Sequence, residues 1–115
     1  MNVEELRNYC LSLGDDVKER MPFGAFKAAQ GVLVFYVCNH MFCYFDIDHF
    51  EVATVKCQPE RIGELMEQYD CITKPHNMNP KYWIGILPEM ADNTLLEVLI
   101  SNSYQLIKHK YRRHS

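Results

Sequence analysis

Three short β-prone segments follow one another between residues 32 and 57, and they constrain the fold more than any other part of the chain. Residues 32–37 and 41–45 are rich in β-branched and aromatic side chains, and Cys38-Asn39-His40 separates them at hairpin length. Residues 46–49 have the composition of a second turn and lead into a third segment, residues 50–57. Strands joined by such short turns pair antiparallel. The pattern predicts an antiparallel meander in which His40 is a turn residue.

Alternation along the third segment separates two faces of the predicted sheet, because successive side chains of a strand point to opposite sides. The apolar set, suited to a core under helices, comprises Ala53, Val55 and Cys57. The opposite set comprises Val52, Thr54 and Lys56. Lys56 is therefore expected to project from the solvent-facing side of the sheet.

Three segments with helical periodicity surround these strands. Asn2 has the position of an N-cap, and Glu5 completes a capping-box pair at the start of the first helix, which Gly14 ends. Pro59 opens the second helix at its first position, and Asp92 precedes a long final helix. Each helix carries an apolar stripe that a sheet can cover.

The order of these elements is too segregated for a parallel βαβ sheet, so we expect an α+β fold. The prediction is a two-layer sandwich: an antiparallel sheet with helices on one face and the other face at least partly open. At 115 residues, with no linker or internal repeat, the chain is expected to be a single domain over residues 1–115.

Composition excludes several classes of protein. The chain is 48% hydrophobic and 23% charged, which is typical of a soluble globular domain, and its start lacks the features of a signal peptide. No apolar run approaches the roughly 20 residues that span a bilayer. We therefore expect a cytoplasmic monomer without membrane contact.

The five cysteines are odd in number and form no CxxC pair, which favours reduced thiols and predicts neither a metal site nor a cofactor.

Charge is unevenly distributed along the chain. Lys108, Lys110, Arg112 and Arg113 contribute four positive charges near the end, so the net charge of −3 leaves −7 for the remainder. The basic end suits the negative pole of the final helix, and contact with nucleic acid is the alternative. A generally basic nucleic-acid-binding surface is absent from this composition, so any such binding must be local.

The segment from residue 74 to residue 86 holds the only tryptophan and two of the five prolines. If Tyr82, Ile84 and Ile86 face the core, Trp83 and Gly85 share the face of Lys56. An aromatic ring beside lysines, with a glycine that clears space, is suited to stacking on a base. The candidate binding residues are Lys56, His76, Asn79, Lys81 and Trp83. The alternative is that Trp83 only covers an otherwise bare sheet.

Several short motifs together resemble the YjbR/MmcQ family of small bacterial proteins. They are residues 3–13, Met21-Pro22-Phe23-Gly24, residues 55–60, His76-Asn77-Met78-Asn79-Pro80-Lys81-Tyr82-Trp83 and residues 102–106. Around the tryptophan the chain departs from the family pattern, with an extra Asn77 and with Pro80 where a lysine is usual, so that Lys81 takes the lysine's place one position later. The resemblance implies a frataxin-like (CyaY-like) fold and DNA binding.

Two functions from different classes follow. The first is a non-enzymatic module that binds DNA or another nucleic acid through the open face of the sheet. The second is an adaptor for a protein partner or a small ligand on the same face. An enzyme with Cys57 as nucleophile and His76 as base is the third reading, and we do not expect it because a buried strand cysteine is inert.

Overall fold

The computed structural model describes residues 1–112, which form three α-helices and one six-stranded sheet. The elements are α1 (Val3–Ser12), β1 (Lys18–Arg20), a 3₁₀ turn (Lys27–Ala29), β2 (Val32–Val37), β3 (His40–Asp46), β4 (Ala53–Lys56), α2 (Pro59–Gln68), β5 (Ile72–Thr73), β6 (Trp83–Ile86) and α3 (Asn93–Tyr111). The strand order is β1-β2-β3-β4-β6-β5, and every neighbouring pair is antiparallel. The predicted α+β architecture is confirmed.

The β2–β3 hairpin is tighter than expected. Cys38 and Asn39 alone form the connection, with φ angles of 52° and 66°. Two consecutive positive φ values are typical of the type I′ turn, whose twist matches that of the flanking strands. The prediction that His40 lies in the turn is wrong, because His40 begins β3 and its ring stacks on Tyr111 with centroids 3.5 Å apart.

An irregularity in the same strand pair creates a link to α3. Phe35 pairs with Cys43 but Tyr36 pairs with Met41, which leaves Phe42 as the extra residue of a bulge. The hydroxyl of the fully buried Ser103 donates to the Phe42 carbonyl at 2.5 Å and accepts the Lys56 N–H at 2.9 Å. One helix side chain thus satisfies two backbone groups of neighbouring strands.

The core lies between the sheet and the helices, where the predicted alternation holds. Its sheet residues include Leu33, Phe35, Phe45, Ala53, Val55, Ile84 and Ile86. Its helical residues include Leu6, Ile62, Leu96, Leu99, Ile100 and Ile107. Tyr82, however, is 38% exposed, so its predicted core position is wrong; β6 begins only at Trp83. Phe50 likewise precedes β4 and packs its ring edge-on against Phe45.

Strand β1 has no counterpart in the sequence prediction. Its residues pair with β2 at the sheet edge, Lys18 opposite Tyr36 and Arg20 opposite Val34. The intervening Glu19 points to the helix side, where Arg7 of α1 donates from Nε at 2.8 Å. The capping box of Asn2 and Glu5, in contrast, is confirmed at the start of α1.

The basic end of α3 is partly engaged in structural contacts. Lys108 Nζ lies 3.0 Å from Asp16 Oδ2 and 3.1 Å from the hydroxyl of Tyr104, which itself donates to Asp16 at 2.6 Å. Arg113, the last of the four basic residues, lies outside the described part of the chain. No helix within residues 1–112 is both long and apolar enough to cross a membrane.

Candidate functional site

The sheet face opposite the helices, called the open face below, carries a distinct set of side chains. By register they are Lys18, Arg20, Val34, Tyr36, Met41, Tyr44, Thr54, Lys56, Thr73, Trp83 and Gly85. Three of these are cations. Asp46 at the end of β3 adds a carboxylate, but its Oδ1 already accepts the N–H groups of Asp48 and His49. The strands therefore present a net positive surface from a chain that is acidic as a whole.

Lys56 and Trp83 occupy adjacent strands of this face. They are Cα partners in the β4–β6 pair, and both side chains are half-buried. The predicted shared face of these two residues is confirmed. At the other edge of the sheet the guanidinium of Arg20 lies 5.9 Å from the ring centroid of Tyr36, which forms a second pairing of cation and aromatic.

Asn79 and Lys81 belong to the turn that delivers Trp83 into β6. The Asn79 side-chain oxygen accepts the Lys81 N–H at 3.0 Å, and its carbonyl accepts the N–H groups of Tyr82 and Trp83 at 3.1 Å. Such local bonding is typical of asparagine in turns. Lys81 Nζ lies 5.5 Å from the Tyr82 ring centroid. Asn79 therefore shapes the turn, while the two exposed side chains of Lys81 and Tyr82 remain accessible.

His76 lies apart from that turn, where the chain crosses β3. Its carbonyl accepts the hydroxyl of Tyr44 at 3.0 Å, and its side chain is exposed. The pKa of Tyr44 is raised, chiefly because burial disfavours the phenolate. The extra Asn77 has a φ of 60°, a conformation that asparagine tolerates better than most residues. Lys56, Asn79, Lys81 and Trp83 thus gather around the start of β6, and His76 borders the middle of the face.

The expectation that Gly85 clears space for a ligand is wrong. A Cβ atom at this position would lie 2.9 Å from Val52 Cγ2 and 3.0 Å from Thr73 Cγ2, with the Lys74 carbonyl at 3.6 Å. The glycine is needed because the chain's own loop packs there. Thr54, its partner on β4, is also buried. The open face is therefore covered at the middle of β2, β4 and β6, and it is accessible at the start of β6 and along β1.

Over β2 and β3 lies a cleft of ≈ 390 Å³, within the range of small-ligand sites. Its lining includes Phe23, Phe26, Val32, Met41, Tyr44 and Met78. Phe26 is 64% exposed, which is unusual for a phenylalanine. Sequence reasoning missed this cleft because it assigned no helix or strand to residues 21–30 and used residues 21–24 only as a family motif. The available signal was the presence of large apolar side chains in a segment with neither helix nor strand periodicity.

The two residues of the enzymatic reading are not brought together. Cys57 belongs to the core on the helix side of the sheet, and burial raises the pKa of its thiol, whereas His76 lies in the loop over the open face. Within residues 1–112 no three His, Cys, Asp or Glu side chains cluster in the way a metal ion requires. Of the cysteines, Cys10, Cys43, Cys57 and Cys71 are buried and Cys38 is half-buried.

Comparison with known proteins identifies relatives of this fold. A solved structure from Deinococcus radiodurans, of a protein with the domain called DUF419, is 28% identical with a TM-score of 0.83, covering 95% of this chain and 80% of that one. A Pseudomonas syringae protein is 23% identical with a TM-score of 0.77, covering 93% of this chain and 99% of that one. The frataxin-like comparison stays a prediction. No curated protein matches the sequence. A family model described as YjbR matches residues 11–106, and the chain therefore belongs to the YjbR family.

Proposed function

We propose that this protein is a non-enzymatic binding module that holds single-stranded nucleic acid on its open face. The observation that carries the proposal is the strand register. It places Lys18, Arg20 and Lys56 on the same face as Tyr36 and Trp83. Proteins that bind single strands combine such cations, which contact phosphates, with aromatic rings on which bases stack.

The distribution of charge favours the open face over the rest of the molecule as the surface that binds a polyanion. Glu19, the only acidic residue of β1, points away from the open face and is paired with Arg7. The first turns of α1 and α2 carry further carboxylates on the helix side. A polyanion approaching the open face therefore meets cations first, while most of the repulsion comes from the opposite side of the sheet.

A single strand suits this surface better than a duplex. Base stacking on an aromatic side chain requires an unstacked base, and each stacked base contributes roughly 1–3 kcal/mol. The register sets Tyr36 on β2 and Trp83 on β6, with β3 and β4 between them, so one flexible strand that crosses the sheet can reach both rings.

Trp83 is the only tryptophan, so its fluorescence reports directly on the proposed site. We expect quenching on titration with single-stranded DNA and much weaker change with duplex. Three phosphate contacts predict a slope of log affinity against log salt of about −2, hence a roughly fifteenfold loss between about 50 and about 200 mM salt. Lys56→Ala should weaken binding and reduce that slope by about 0.7.

Arg61→Ala is the matched control, because it removes the same charge from α2 on the opposite side of the sheet. It should leave the slope unchanged. Lys110→Ala tests the alternative contact through the basic end of α3. Absence of a fluorescence or anisotropy change with single-stranded DNA at low salt, together with silent Lys56→Ala and Lys81→Ala variants, would refute the proposal.

The second candidate is an adaptor for an apolar group of a protein partner or small ligand, and the cleft over β2–β3 favours it. Phe26 and Phe23 form its outer wall and are exposed. Binding there would be driven by apolar contact and would weaken little with salt. Phe26→Ala should abolish such binding while leaving the salt slope of DNA binding unchanged.

A further inference from the structure

A groove on the helix side of the molecule is independent of the open face. Its largest part, ≈ 650 Å³, lies between the end of α2 and the start of α3 and is lined by residues that include Tyr69, Met90 and Leu95. Hollows of ≈ 240 Å³ and ≈ 420 Å³ continue it along α3. Val98 lines all three, so they form one surface, called the α2–α3 groove below.

The floor of this groove is apolar and accessible. Val98 is 52% exposed and Met90 is 59% exposed, although both could have been polar without loss to the core. Leu95, one helical turn before Val98, is half-buried beside them. Neighbouring exposed apolar side chains rimmed by polar ones are characteristic of sites that contact another protein.

The rim of the groove is acidic. Asp70 and Asp92 line its largest part, Glu64 the hollow toward α2 and Glu97 the hollow toward α1. Among the described residues that line these hollows, the only opposing lysine or arginine is Arg61, which donates to the Gln58 side chain at 3.3 Å. A ligand with apolar and positively charged groups is therefore complementary to this surface.

We propose that the α2–α3 groove is a docking site for a basic amphipathic helix of a partner protein. Such a helix would place an apolar stripe on Val98, Leu95 and Met90, and its flanking lysines or arginines would face the carboxylates of the rim. Helix-in-groove binding of this kind uses anchors at helical spacing. The groove lies across the sheet from the open face, so both surfaces can be occupied at once.

The test uses two labelled peptides of about 18 residues, long enough to form an amphipathic helix. Both carry the same leucine stripe, but the polar face is lysine in one and glutamate in the other. Fluorescence anisotropy should show saturable binding of the lysine peptide and none of the glutamate peptide. Equal binding of both peptides, or of neither, would overturn the proposal.

Val98→Asp separates docking from general attraction between a basic peptide and an acidic protein. The substitution adds a negative charge, which strengthens nonspecific attraction, but it destroys the apolar floor of the groove. We expect the affinity for the lysine peptide to fall about tenfold or more. Asn39→Asp, which adds the same charge in the exposed β2–β3 turn, should leave the affinity unchanged.

Tighter binding of the lysine peptide by Val98→Asp, or an equal loss of affinity in Val98→Asp and Asn39→Asp, would refute docking in the groove. Because Val98 is exposed, the variant should keep the urea midpoint of the parent protein, which is checked first. Sedimentation velocity supplies an independent test. A dimer of the parent protein that Val98→Asp dissociates would show that the groove joins two copies of this chain, and the proposal would be wrong.

Discussion

Ser103→Ala removes a single oxygen atom, yet we expect it to destabilise the protein strongly. Ser103 is fully buried, and its oxygen lies 2.9 Å from the Lys56 nitrogen and 2.5 Å from the Phe42 oxygen. Ser103→Ala leaves an N–H and a carbonyl without this partner in the core. Each unsatisfied buried group costs about 1–3 kcal/mol, so we expect the two groups together to lower the free energy of unfolding by about 2–6 kcal/mol.

That loss is a large fraction of the free energy of unfolding of an ordinary domain, which is roughly 5–15 kcal/mol. With a urea m-value of about 1.5 kcal/mol/M, a change of about 3 kcal/mol lowers the unfolding midpoint by about 2 M. Ser101→Ala is the control, since Ser101 is half-exposed on the same helix and should change the stability by less than about 0.5 kcal/mol. If Ser103→Ala unfolds at the same urea concentration as Ser101→Ala, the bridging role of the hydroxyl is refuted.

Two further predictions concern stability. Gly85→Ala places a Cβ 2.9 Å from Val52 Cγ2 and should lower the free energy of unfolding by about 1–3 kcal/mol. Gly63→Ala lies in α2, where the added Cβ has open space, and should raise the free energy of unfolding by about 0.5–1 kcal/mol; equal urea midpoints of the two variants would contradict this. The hydrogen bond from Tyr104, followed by that from Lys108, lowers the pKa of Asp16 below its ordinary value of 3.8. The ionised Asp16 therefore stabilises the fold above pH 3.8, and this stabilisation is lost as the pH falls through the lowered pKa of the folded state. Asp16→Asn should make the decline in melting temperature below about pH 4 less steep. A decline as steep as that of the parent protein would contradict this prediction.

Local patterns in the sequence were sufficient for most of the fold. The β-branched and aromatic composition of residues 32–37 and 41–45 predicted β2 and β3, and the Asn2 and Glu5 pair predicted the start of α1. These signals are local because a strand or a helix cap depends on neighbouring residues. Strand β1 escaped prediction because its sequence, Lys18-Glu19-Arg20, has no apolar residue; pairing with Tyr36 and Val34 makes it a strand.

The candidate site was predicted in part. Alternation put Lys56 and Trp83 on one face, and the register confirms this. It could not show that the loop after β5 packs against Gly85, nor that Phe26 turns back over β2–β3 to wall a cleft. Both depend on where a loop without periodicity runs, which is decided by packing against distant strands. The binding role of the site residues stays a prediction.

By itself, the sequence determined the number and nature of most elements, the side of the sheet that faces the core, and the family. These follow from the periods of 2 and 3.6 residues and from short motifs. Only the tertiary structure decided that Lys18 and Arg20 join Lys56 on a positive face, and that Val98 is left exposed between acidic side chains. The physical reason is that surface charge and grooves arise from residues far apart in the chain, which packing alone brings together.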